Sequence, residues 1–178
     1  MYVYLATGTS DFMEILQKKY KKETMTVLYG GQQSLLMHVT EGKTKFATPQ
    51  SFEVVKSLNE FEPNGFYTIT YIDIFVDSLT SFEGRMQAKN FQFINEPGFI
   101  AYKLLKPTKS SVFAIIQQWT GANSYEAWKM SASYKTDFDF MDEHAPIDRH
   151  TTISAVAPYT KMYSTAPVEE EIEEDDHL

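Results

Sequence analysis

Four histidines, His38, His144, His150 and His177, and the carboxylates Asp137, Asp139, Asp142 and Glu143 are the residues best equipped to bind a metal or move a proton. No two histidines stand four apart, so a helical pair of metal ligands is excluded. His144 and His150 flank Ala-Pro-Ile-Asp-Arg in a segment read as a loop, where either could ligate an iron or act as a base. His38 lies in an alternating apolar run and reads as structural. The carboxylates match no calcium loop in spacing and read as the solvated end of a helix. Gly30-Gly31 lacks the Lys-Ser/Thr and the following helix of a phosphate loop, and no G-x-S-x-G nucleophile motif occurs. The chain has no cysteine, which removes thiolate nucleophiles, iron–sulfur clusters and disulfides together.

The elements that must position these residues centre on Asn95 to Phe138. Ile100, Tyr102 and Leu104 alternate with Ala101, Lys103 and Leu105, and after a turn at Pro107 to Ser110 the run Val112 to Ile116 is extended again. This predicts a hairpin. Asn123 or Ser124 is the expected cap of a helix burying Tyr125, Trp128 and Ala132, with Met130 and Tyr134 widening its apolar face. Upstream, Phe66 to Val76 is apolar on both faces, as a central strand should be, and Asp77 or Ser78 opens a helix with Leu79, Phe82 and Met86 inward. Thr151 to Thr165 is extended, with Pro158 marking an edge or a bulge. Residues 66–165 therefore read β-α-β-β-α-β, the ferredoxin-like pattern.

The first half reads as a degenerate version of the same plan. A strand over Met1 to Thr7 leads into a helix with Phe12, Ile15, Leu16 and Tyr20 on one face. A hairpin follows over Met25 to Tyr29 and Ser34 to Val39, turning at Gly30 to Gln33. Thr44 to Ala47 is expected to be extended. Ser51 is expected to open a helix burying Phe52, Val55 and Leu58. The division is thus an α+β half at 1–62, a ferredoxin-like α+β domain at 63–166 and a disordered acidic tail at 167–178.

The 178 residues can bury a sizeable core, and 15% aromatic content argues against general disorder. The net charge of −8 is concentrated: seven acids lie within Glu169 to Asp176, leaving about −1 elsewhere. No broad basic surface accompanies Lys18, Lys19, Lys21 and Lys22, so nucleic acid is not an expected partner. Peripheral attachment to an anionic membrane is the alternative use of those lysines, and four of them without lipidation give only weak binding. No signal peptide or spanning segment is visible, and a cytoplasmic protein is expected.

The segments Phe66 to Val76, NEPGF (Asn95 to Phe99), YKLLKP (Tyr102 to Pro107) and QWTGANSYEAWKMSASYK (Gln118 to Lys135) resemble the antibiotic biosynthesis monooxygenase superfamily. GTSDF (Gly8 to Phe12) and TPQSFEVVKSLNEF (Thr48 to Phe61) extend the likeness into the first half. The resemblance implies a ferredoxin-like α+β fold of the dimeric α+β barrel class, as a homodimer or as a single chain imitating one. In heme-degrading branches it implies an Asn that meets the distal ligand, a Trp that presses the porphyrin out of plane, and an iron-binding His ten residues after the Trp. Those positions fall on Thr70, Trp128 and Phe138 here, and only the Trp agrees. A phenyl ring offers iron no lone pair.

Signal-transduction branches of the TRAP type are similar in lacking the Asn and His, and the resemblance implies a regulatory or stress-response role, sometimes at the membrane. A heme-degrading monooxygenase using His144 or His150 as a relocated ligand is the enzymatic alternative, with heme as its cofactor. A non-catalytic interaction module is the third.

Overall fold

The computed structural model describes residues 1–141 and 157–167. Eight strands form one antiparallel sheet in the order β2-β3-β1-β4-β6-β7-β5-β8. The first half supplies β1 (Tyr2–Gly8), β2 (Thr24–Leu28), β3 (Ser34–Thr40) and β4 (Gln50–Leu58). The second supplies β5 (Phe66–Asp73), β6 (Phe99–Pro107), β7 (Val112–Trp119) and β8 (Tyr159–Ser164). Within each half the order is second, third, first, fourth strand, so both halves follow the ferredoxin-like plan.

The fourth strand of each half meets the second strand of the other. β4 pairs with β6 from Phe52 opposite Pro107 to Leu58 opposite Tyr102. On the other side, Tyr29, just past β2, and Ser164 of β8 exchange two backbone hydrogen bonds at 2.8 and 2.9 Å. The sheet curls almost into a barrel. Its interior is lined from both halves by Val3, Leu5, Met37, Tyr67, Ile69 and Tyr163, among others.

The helices lie outside this barrel. α1 (Ser10–Lys19) is capped by Thr9, whose Oγ1 accepts from the Phe12 backbone at 3.4 Å. Met13 and Leu16, with Tyr20 just beyond the helix, pack beside Met25, Val27 and Leu36. Leu16 and Tyr20 of the expected face pack inward, but Met13 leads the stripe and Phe12 and Ile15 are exposed. α2 (Leu79–Ala88) buries Phe82 and Met86 as anticipated. α3 (Ala122–Lys129) buries Tyr125 and Trp128 but follows Gly121 with no side-chain cap. The chain then breaks at Met130 and Ser131 before α4 (Ala132–Asp137). The break turns Met130 outward, 88% exposed, and leaves Ala132 exposed as well.

Two further expectations fail in the first half. Thr44 to Ala47 is a loop rather than a strand, though it buries Phe46. The segment opening at Ser51 is β4, not a helix. Its apolar spacing suits either period, and pairing with both β1 and β6 decides for the strand. The first half consequently lacks the helix that would join its third and fourth strands.

As a strand, β4 reaches the second half directly. Lys56 Nζ donates to the carbonyls of Met86, Gln87 and Lys89 at 3.2, 3.0 and 2.5 Å, capping the C-terminal end of α2 with a cation. Replacing Lys56 with Met should therefore cost about 1–2 kcal/mol. Urea unfolding would measure the loss, and hydrogen exchange should accelerate first in the last turn of α2.

Candidate functional site

Trp128 is fully buried in an aromatic cluster between the sheet and the helices of the second half. Its indole stacks on Trp119 with centroids 5.5 Å apart and 28° between planes. Phe93, Tyr134 and Phe138 meet it edge-on at 5.6, 5.0 and 5.0 Å. Ring-to-ring packing of this kind contributes beyond the area it buries. Phe138 is itself 3% exposed and touches Phe93 and Phe140.

Asp137 fixes this arrangement. Its Oδ1 accepts from the Gln92 backbone at 2.7 Å, and its Oδ2 accepts from the Phe93 backbone at 2.9 Å and from Trp128 Nε1 at 3.3 Å. The expectation of a solvated acidic face fails here, because Asp137 is fully buried. Asp139 is exposed and pairs with Lys89 at 2.8 Å. Asp142 and Glu143 lie outside the described residues, as do His144, His150 and the tail. No group of three metal-binding side chains forms among the described residues.

Thr70 shares the helix-facing side of β5 with Ile72. Its hydroxyl is 2.8 Å from Thr160 Oγ1 on β8 and is thereby engaged. The structure thus brings Trp128 and Phe138 into contact and places Thr70 on the sheet that floors the same cluster. His38, the one histidine among the described residues, is fully buried on β3. Its Nε2 stands 2.9 Å from Glu23 Oε2. That hydrogen bond is the main influence holding the Glu23 carboxyl below its ordinary pKa.

A porphyrin does not fit the described residues at this place. The space beside Trp128 holds side chains, and Phe138 cannot ligate iron. Two buried polar atoms of the cluster, the Tyr102 hydroxyl and Trp119 Nε1, have no hydrogen-bond partner among the described residues. Tyrosinate is a known heme ligand, but desolvation drives the Tyr102 pKa strongly upward and holds it as the neutral phenol.

Residues 65–136 match the family model described as antibiotic biosynthesis monooxygenase. The chain is similar to the signal transduction protein TRAP of Staphylococcus epidermidis, 26% identical over 138 residues, which are 78% of this chain and 83% of that protein. TRAP of Staphylococcus aureus is 25% identical over 136 residues, covering 76% and 81%. In structure the chain superimposes on a major regulator of staphylococcal pathogenesis with a TM-score of 0.82 at 22% identity, covering 93% of this chain and 99% of that one. The heme-degrading enzyme LmHde of Listeria monocytogenes gives 0.68 at 22% identity, covering 92% and 99%. Both structural likenesses establish the fold alone.

The two ends of the barrel differ. At one end Gln118 accepts from the Glu62 backbone at 2.8 Å and donates to the carbonyls of Glu62 and Asn64 at 2.9 and 3.2 Å. Beside it Lys103, 1% exposed, donates to Ser57 Oγ at 2.8 Å and lies 5.0 Å from the Phe61 ring. Burial lowers the Lys103 pKa. The opposite end, where β1 runs out and β4 begins, opens into a cavity of about 560 Å³. Nothing in the local spacing of the sequence announces this cavity, since its walls come from segments scattered along the whole chain.

Asp137→Ala leaves three N–H groups without their acceptor and should cost roughly 3 kcal/mol in urea unfolding. Asp137→Asn should cost less, since one oxygen remains. For Lys103 the unfolded chain holds the proton more tightly than the folded one. Stability should therefore rise with pH between the lowered folded pKa and the ordinary lysine value. In Lys103→Met this rise should be missing from melting curves recorded across the alkaline range.

Proposed function

We propose that this chain is a TRAP-like regulatory protein that uses the antibiotic biosynthesis monooxygenase fold without degrading heme. Phe138 carries the reading: it stands where heme degraders of this superfamily are expected to hold their iron-binding histidine, and it is packed against Trp128 at 5.0 Å. The name of the curated relatives, signal transduction protein TRAP, supports the regulatory half of the reading. The closure of both halves into one sheet supports a chain that acts as its own dimer. Among the described residues no helix is long and apolar enough to cross a membrane.

In this reading the aromatic cluster serves rigidity rather than cofactor chemistry. Trp128 anchors α3 to the sheet, and Asp137 ties α4 to the Gln92–Phe93 backbone. The surface so stabilised is what a partner would recognise.

Mixing the purified chain with hemin and following absorbance tests the proposal. The expected result is no sharp Soret shift and no loss of the band on adding reductant. Stoichiometric binding followed by reductive bleaching would contradict it, and His144→Ala and His150→Ala would then identify the ligand.

A further inference from the structure

We propose that the open end of the barrel is a binding site for a small planar aromatic acid. The cavity there falls within the size range of small-molecule sites. Its walls carry the aromatic side chains of Phe12, Phe46, Tyr71, Tyr159 and Tyr163. Tyr71 and Tyr159 stack with centroids 5.2 Å apart and 27° between planes, giving one wall a flat face. Phe12 and Tyr159 are just over half exposed, so apolar surface extends to where a ligand would enter.

The charge of the lining sets the headgroup. Lys45 and Lys161 border the cavity and, among the described residues, no carboxylate does, in a chain whose net charge is −8. Lys161 lies 6.0 Å from the Tyr71 ring centroid and forms no salt bridge among the described residues. Lys45 is held by Glu23 at 3.5 Å and leaves other N–H directions to share. Gln33, Gln50 and Thr48 add neutral hydrogen-bonding groups. Two cations at the edge of an aromatic box select a flat apolar body with a single anionic group. The loop through Lys45 to Thr48, which joins β3 to β4 without a helix, borders the cavity.

The site is separate from the Trp128 cluster, and the inference stands whether or not the regulatory reading holds. Anilinonaphthalene sulfonate is a suitable probe, followed by its fluorescence on binding the full chain. One saturable site is expected. Affinity should fall about tenfold or more in the double variant Lys45→Gln, Lys161→Gln, equivalent to about 1.4 kcal/mol. Binding should disappear in Ala47→Trp, whose indole would fill the cavity, with circular dichroism and melting temperature unchanged in both variants. On the unmodified chain, neutral anilinonaphthalene should bind at least about tenfold more weakly than its sulfonate. Naphthoate should displace the probe at lower concentration than dodecanoate does. Absence of saturable binding, equal affinity in the variants, equal affinity of the neutral analogue, or stronger displacement by dodecanoate would each overturn the proposal.

Discussion

The enclosure of Trp128 constrains the second half of the molecule more than any other contact. An indole with no exposed surface has Trp119 against its face, Phe93, Tyr134 and Phe138 against it edge-on, and its N–H on the Asp137 carboxylate. The same carboxylate orders the Gln92 and Phe93 backbone. Removing a side chain from such a site leaves a cavity that close-packed neighbours only partly refill, at a cost of about 3–5 kcal/mol for Trp to Ala. Where heme-degrading branches are expected to use Trp and His against a porphyrin, this chain uses Trp, Phe and Asp against each other. The site in this chain is thus a donor–acceptor pair in the core, Trp128 Nε1 on Asp137 Oδ2.

The barrel depends on a second constraint, the sharing of strands between halves. β4 joins the sheet of the second half and its Lys56 caps α2, while Tyr29 and Ser164 hold the remaining seam with two hydrogen bonds. The first half gives up a helix in the process. Residues 41–49 run as a loop from β3 to β4, and Phe46 is the main apolar side chain they bury. One barrel end is open, while Gln118, bonded to the Glu62 and Asn64 backbone, and the buried Lys103 fill the other. An asymmetric barrel is the consequence, with Lys45 and Lys161 bordering its open end.

Much of this was legible in the residues, and the failures have identifiable causes. The alternation of Ile100 to Leu105 and Val112 to Ile116 specified the β6–β7 hairpin, because a sheet buried on both faces permits few other readings. Gly30-Gly31 marked the β2–β3 turn correctly, although neither glycine takes the positive φ expected of a tight hairpin turn. The segment at Ser51 misled because Phe52, Val55 and Leu58 satisfy a helical period, while the pairing that makes it β4 comes from Leu58 meeting Tyr102 far along the chain. Asp137 misled because its neighbours Asp139, Asp142 and Glu143 suggested a solvated cluster. Its nine-residue spacing from Trp128 was the available clue, but it acquires meaning only after the chain breaks at Ser131 and α4 turns back. At the candidate heme positions, the resemblance put Phe138 where a histidine is expected, and the packing shows that its ring fills the space beside Trp128. The cavity was invisible to local reasoning because its lysines stand at 45 and 161.

Acrylamide quenching of tryptophan fluorescence in the intact chain tests the enclosure most directly, since Trp119 and Trp128 are the only two tryptophans and both are fully buried. The account predicts blue-shifted emission that resists quenching until the protein unfolds. A red-shifted, readily quenched component in the folded protein would mean that one indole faces an open pocket, and the account of Trp128 as filled core would be wrong.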